Sequence, residues 1–340
     1  MPHHPFQPLD GEIRVLTIDS PSLQGNLLGD PSSRQVAIYL PPGWAESGQE
    51  YPLFVDLVGY TGSGFFHTGW KAFQESVPQR VERLVREGRM GPAVFAFPDC
   101  FTSLGGNQYI NSVAVGNWAD YLIQEMIPAI EIQFPVRKGK ENRAVFGKSS
   151  GGYGAIVHGM LYADHWGAIA CHSGDMGFPE LFLGEFPAAL THMNKHGGLE
   201  GFLQHVRSCR KLQGDDMHVL MIIAMGAFYD PDPAAFMGVR LPVDLHSCAL
   251  DEERWRLWLQ HDPVRLVEEE AVQGNLRSLS KLFVDCGFRD QYRLHFGSRQ
   301  LVQRLDDLGI DHVYEEFDDT HSAVDYRMDV SLPLLYDAIS

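Results

Sequence analysis

Ala144-Val145-Phe146-Gly147-Lys148-Ser149-Ser150-Gly151-Gly152-Tyr153-Gly154-Ala155 is the stretch from which the rest of the chain can be read. A short apolar run leads into a turn, and the turn leads into a helix start built of small residues. Inside it lies the pattern Gly-x-Ser-x-Gly, Gly147 to Gly151, centred on Ser149. A sharp strand-to-helix turn forces its central residue into a strained backbone conformation, and glycine two before and two after lets strand and helix approach closely. The Ser149 hydroxyl is then held out at the end of a sheet, at a helix N-terminus whose partial positive charge favours a developing anion. Ser150 is the rival nucleophile, but two residues before it stands Lys148, which cannot relieve the crowding.

Outward from this turn, residues 12–18, 36–40, 53–58, 93–97, 143–146, 168–171, 281–285 and 312–317 read as strands. Residues 77–87, 117–134, 150–162, 300–308 and 324–339 read as helices. Strands alternating with helices predict an α/β fold with a mostly parallel central sheet and helices on both faces. Between Ser173 and Ser280 the alternation breaks down into helical pattern, aromatics and prolines. Residues 174–280 therefore read as a cap-like insertion after the sixth strand, over the carboxyl edge where such sheets bind ligands, with 1–173 and 281–340 forming the catalytic domain. No internal repeat or low-complexity segment interrupts this.

A chain of 340 residues, 44% hydrophobic and 21% charged, can bury a large core. Its formal net charge of −17 argues against nucleic acid or an anionic membrane surface as a partner. Met1-Pro2-His3-His4-Pro5-Phe6 has no basic stretch followed by an apolar run and does not read as a secretory signal. The longest apolar run, Val219 to Ala227, is too short to cross a bilayer. Five cysteines (Cys100, Cys171, Cys209, Cys248, Cys286) without a Cys-x-x-Cys read as buried thiols in a reducing compartment, and a cytoplasmic location is expected.

A serine hydroxyl at neutral pH needs a base, and the base needs an orienting acid; on a sheet of this kind the chain order is Ser, acid, His. His321 lies in Asp318-Asp319-Thr320-His321-Ser322, a polar loop between the last strand and the last helix. His172, by contrast, follows the wrong strand. Asp290 closes Asp285-Cys286-Gly287-Phe288-Arg289-Asp290, a strand running into a glycine turn with an acid just beyond. Asp285, still within the strand, and Asp319, merely near His321 along the chain, are its rivals. For a developing oxyanion the donors are the backbone N–H of Ser150 and, in the loop Gly59-Tyr60-Thr61, that of Tyr60.

Taken together, Leu57-Val58-Gly59-Tyr60-Thr61-Gly62, Gly147-Lys148-Ser149-Ser150-Gly151-Gly152-Tyr153-Gly154-Ala155, Asp285 to Asp290 and Thr320-His321-Ser322 resemble the esterase D group of α/β-hydrolases. That group includes S-formylglutathione hydrolases, feruloyl and enterochelin-type esterases and mycolyltransferases. The resemblance covers roughly residues 51–173 and 281–340 and hardly touches the insertion. It implies a triad of Ser149, Asp290 and His321, an oxyanion N–H at Tyr60, no cofactor, and a small-molecule ester with a small or aromatic acyl group as substrate. Val58 departs from the group, many of whose members have histidine there, and the insertion is unlike that of S-formylglutathione hydrolases. Acyl transfer on the same site, a binding protein on a hydrolase scaffold, and a homo-oligomeric state are left open.

Other patterns carry less. His192 and His196 share a face if their segment is helical, but a zinc site needs further ligands and no HExxH arrangement occurs, so no metal is expected. Gly147-Lys148-Ser149 lacks the upstream glycine of a phosphate loop. Trp255 and Trp258 read as a helix core stripe rather than the lining of an acyl pocket.

Overall fold

The computed structural model of the protein describes Phe6 and residues 8–340; the leader reading of Met1 to Pro5 lies outside the described residues. Eight strands form one sheet: β1 (Glu12–Asp19), β2 (Ser33–Leu40), β3 (Leu53–Leu57), β4 (Val94–Pro98), β5 (Arg143–Lys148), β6 (Ala168–His172), β7 (Lys281–Gly287) and β8 (Val313–Phe317). Their spatial order is β1-β2-β4-β3-β5-β6-β7-β8. The β1–β2 and β2–β4 pairs are antiparallel and every later pair is parallel. All eight correspond to strands expected from the sequence. Strands β3, β4 and β6 are buried along their whole length, so they read as unbroken apolar runs rather than as alternation.

Two cores lie on the two faces. On one, Phe54 stacks on Phe95 with ring centroids 4.7 Å apart, and Phe146 meets both edge-on. Helix α1 (Val77–Arg86) and the C-terminal helix cover this face. Helix α1 starts where its sequence says it should. Ser76 accepts from the Gln79 N–H, the Gln79 side chain accepts from the Ser76 N–H, and Pro78 sits in the first turn. The other face packs helix α2 (Ser150–Leu161), a helix over 118–133 and most of the insertion.

Between β6 and β7 the chain runs through helices, among them α3 (Phe186–Asn194), α4 (Leu199–Ser208), α5 (Asp216–Tyr229) and α6 (Glu252–Leu259). Their interior is aromatic: Trp258 meets Phe182, Phe186 and Tyr229 at centroid distances of 5.4–5.7 Å. Trp255 and Trp258 are thus core residues, as the sequence suggested.

Three boundaries differ from expectation. Helix α7 (Leu294–Asp307) begins six residues before residue 300, directly after Arg293 in a left-handed turn (φ 68°). The helix over 118–133 contains a π-helical stretch, Tyr121–Met126, which shifts its apolar face. The last helix, α8 (Met328–Ile339), follows a short 3₁₀ turn instead of starting at residue 324. All five cysteines are free thiols, but only Cys100, Cys171 and Cys286 are buried; Cys209 and Cys248 are half-buried, so the expectation of five buried thiols is corrected. Among the described residues no helix is long and apolar enough to cross a membrane.

Candidate active site

Strand β5 ends at Lys148 and helix α2 begins at Ser150, leaving Ser149 alone in the turn at φ 58°, ψ −126°. A non-glycine residue rarely adopts this conformation, and the packing around it shows why it persists. A Cβ on Gly151 would lie 1.8 Å from the Leu57 carbonyl oxygen, and one on Gly147 would lie 2.3 Å from the same atom. Strand β3, the turn and the start of α2 are therefore in backbone contact, and only glycine fits at both positions. The Ser149 N–H donates to the His172 carbonyl (3.0 Å), and the Ser149 carbonyl accepts from Tyr153 (2.8 Å), fixing the turn from both sides. Ser149 lines a cavity of about 670 Å³ that opens to solvent. Ser150 is buried instead, its hydroxyl bonded to Gln108 and Asp175.

His321 lines the same cavity. It donates from Nδ1 to Asp290 Oδ2 at 2.7 Å, and the side chain of Asp290 is fully buried. The second oxygen of Asp290 accepts from the Tyr292 N–H at 2.8 Å, the His321 N–H donates to Gln291 Oε1, and the Tyr292 ring stands edge-on to the imidazole at 4.9 Å. These contacts set ring tilt and tautomer. The rivals lie elsewhere. Asp285 stays within β7, where it pairs with His172 (2.7 Å) and Arg327 (2.8 Å). Asp319 accepts from the Thr320 N–H and from Tyr326. Among the described residues no hydrogen bond joins Ser149 to His321, an open spacing common before substrate draws such groups together.

Among the described residues the N–H groups of Tyr60 and Ser150 take part in no turn, loop or cap hydrogen bond. Gly59 lies against Ser149, since a Cβ there would be 3.3 Å from Ser149 Cβ. The Tyr60 side chain points away and is pinned by its hydroxyl to the Leu104 carbonyl (2.6 Å), while the Thr61 N–H donates to Gly105. Tyr109 donates to the Val58 carbonyl. Residues of the 99–117 stretch thus hold the Gly59-Tyr60-Thr61 loop in place, and Val58 is held by its backbone carbonyl.

Several lining residues escaped the sequence reading. His67 lines the cavity and donates to the wholly buried Asp56 at 2.7 Å, a second His–Asp pair. Its ring comes from a short helix just after the Gly59 loop, and nothing in Phe65-Phe66-His67 marks it. Lys71 pairs with Asp325 at 3.1 Å, and Lys148 also faces the cavity. Burial pushes the Lys148 ammonium below its usual range, against the pull of Asp325. Asp325 is held low: burial raises it, but Lys71, His67 and Lys148 outweigh that. Asp175 also lines the cavity; burial raises it, offset in part by its hydrogen bond from Gln108 and by His321.

No Gly-Lys-Ser/Thr phosphate cradle forms at 147–149, because this segment is the strained turn itself. A possible ligand set does form in the insertion. Contrary to the expectation that His192 and His196 lack company, Asp216 joins them, with one donor atom from each residue within 4.8 Å of the others.

Comparison with known proteins bears on the family and the fold. The family model described as "Putative esterase" matches residues 31–331. Esterase Rv1288 of Mycobacterium tuberculosis is 29% identical over 146 residues, which make up 41% of this chain and 28% of that protein, so the match spans under a third of the curated relative. Among solved structures, a ferulic acid esterase superposes with TM-score 0.62 at 17% identity, covering 97% of this chain and 100% of the other. S-formylglutathione hydrolase of Staphylococcus aureus superposes with TM-score 0.58 at 14% identity, covering 97% and 99%. At such identities the structural likeness speaks for the fold.

Proposed function

The chain belongs to the "Putative esterase" family and has the α/β-hydrolase fold, and on that premise we propose that it is a serine carboxylic ester hydrolase acting through an acyl-enzyme. Ser149 Oγ attacks the ester carbonyl, and His321 Nε2 takes the hydroxyl proton and returns it to the leaving alcohol. Asp290 holds Nδ1 and balances the imidazolium. The oxyanion is met by the N–H groups of Tyr60 and Ser150, the latter at the positive end of α2. Water then enters, His321 removes its proton, and the acid departs. No cofactor is needed.

The observation that carries this reading is the convergence of Ser149 and His321 on one cavity while a buried carboxylate grips the far ring nitrogen at 2.7 Å. We read residues 174–280 as a cap that sets acyl specificity, because Leu181, Phe182, Met217, His218 and Met221 bring apolar and polarisable surface to the cavity. Small or aromatic acyl esters of soluble alcohols suit such a lining, and the free thiols suit a reducing, cytoplasmic setting.

The test uses a fluorophosphonate probe and a panel of p-nitrophenyl esters of increasing acyl size. The expected result is labelling of Ser149 with an alcohol burst, and loss of both in Ser149→Ala. His321→Gln should fall to near background, whereas His67→Gln should keep most of the turnover, because His67 sits on the Lys71–Asp325 side of the cavity. Activity that survives His321→Gln but not His67→Gln would move the base to the other pair.

A further inference from the structure

A cluster in the insertion, away from the serine, has its own chemistry. Three imidazoles surround one buried carboxylate. His192 lies in the last turn of α3, His196 just beyond that helix, His205 in the last turn of α4, and Asp216 in the first turn of α5. His192 Nε2 donates to Asp216 Oδ1 at 2.7 Å, and His205 Nε2 reaches Oδ2 at 3.5 Å. The His196 ring stacks on His205 with centroids 4.1 Å apart and lies 5.5 Å from that of His192. Asp216 is only 3% exposed and also accepts from the Gln213 N–H. His192 Nδ1 is buried with no hydrogen-bond partner among the described residues.

Ordinary packing accounts poorly for this arrangement. One carboxylate gives a histidine a satisfied partner; it does not explain why two more rings gather on it. A cation shared among them does. One donor atom each from His192, His196 and Asp216 already lies within 4.8 Å of the others. Metal–ligand bonds of about 2.0–2.2 Å place such donors roughly 3.3 Å apart, so modest side-chain rotation closes the set. His205, touching both Asp216 and His196, stands where a fourth ligand is needed. Imidazole nitrogens with a single carboxylate suit a borderline ion such as Zn²⁺, and not Ca²⁺ or Mg²⁺, which take oxygen shells.

We propose that His192, His196 and Asp216, with His205 beside them, form a structural site for Zn²⁺ or a similar divalent transition ion that staples three cap helices together. The site is far in role from the serine chemistry and independent of it. Its consequence reaches the cavity, however, because Met217, His218 and Met221, in the first turns of α5 after Asp216, line the cavity. The ion would fix the position of that wall.

Protein of the whole 340-residue chain, stripped with a chelator and then titrated with Co²⁺ and Zn²⁺, decides the matter. The expected result is one equivalent bound with a dissociation constant below about 10 µM, visible absorption bands of tetrahedral Co²⁺ that Zn²⁺ bleaches, and a raised melting temperature with Zn²⁺. His196→Gln, at a half-buried position that tolerates the change, and His192→Gln should each lose the bands and weaken binding at least tenfold, while Ser149→Ala keeps both. Absence of stoichiometric binding, or binding unchanged in the two histidine variants, overturns the proposal.

Discussion

At the scale of single residues, two buried aspartates five positions apart in sequence play opposite parts. Asp290 and Asp285 each hold a histidine at 2.7 Å. The difference is what the histidine faces: His321 opens on the cavity, whereas His172 is buried and gives its other nitrogen to Ser331. Asp290→Asn should therefore leave the melting temperature nearly unchanged and lower kcat by on the order of 10⁴, with KM little altered, because amide for carboxylate spoils the tautomer of His321. Asp285→Asn should do the reverse. It strips buried His172 of its partner and removes one of the two carboxylates on Arg327, leaving Glu315, which costs about 3–5 kcal/mol for a broken buried pair, while any folded fraction turns over normally. Paired kinetics and thermal melts read both outcomes. That Asp285 stays within its strand while Asp290 lies beyond it was legible in the sequence, because a residue inside an apolar run stays in its strand. His67 and Asp175 were not legible, because a lone histidine in a short helix and an acid after Ser173 have no pattern; only the fold brings them to Ser149.

At the scale of elements, the β5–turn–α2 unit is the part of the structure most fully written in the chain. Its glycines report a packing demand that no other residue meets. Gly151→Ala puts a methyl group 1.8 Å from the Leu57 carbonyl, so β3 and α2 must separate. The expected effect is a loss of more than about 2 kcal/mol, seen as low soluble yield or a large drop in melting temperature. The helices between β6 and β7 were legible only as aromatics between prolines. Their periodicity is blurred because α5 is apolar nearly all round, from Val219 to Tyr229, and an all-apolar helix gives no face to read. What joins cap to scaffold is aromatic contact: Tyr153 of α2 meets Phe178 and Tyr229, and its hydroxyl donates to the His261 carbonyl at 3.0 Å. Trp258→Ala removes the centre of that cluster. A destabilisation of about 3–5 kcal/mol is expected. KM should also rise, because Phe182, which lines the cavity, packs edge-on against Trp258. Denaturant melts and steady-state kinetics on one preparation test both.

At the scale of the whole molecule, the two cores and the cap share a dependence on histidines kept neutral by burial. His158, on α2, donates from Nε2 to the Tyr109 carbonyl (2.9 Å) and accepts at Nδ1 from the Trp166 indole (3.2 Å). That tautomer has no place for a second proton, and burial pushes its pKa down to about 4. Burial likewise brings His261, stacked on Tyr229, down to about 4. In the unfolded chain both titrate near 6.5. Between those values the unfolded state binds protons that the native state refuses, so stability is full above pH 6.5 and falls as pH drops towards 4. Each histidine contributes at most about 1.4 kcal/mol per pH unit. Two effects oppose this. Asp175 and Asp262, raised by burial, take up protons more readily in the folded state, and acid relieves the self-repulsion of a chain with net charge −17. The informative quantity is therefore the difference between wild type and His158→Gln, whose amide keeps one donor and one acceptor but does not titrate. Above pH 7 that difference should be constant. Between pH 6.5 and 4 it should move in favour of the variant by about 1 kcal/mol per pH unit, read from urea midpoints at a series of pH values. A difference that stays flat across this range would mean that His158 accepts its proton without cost to the fold.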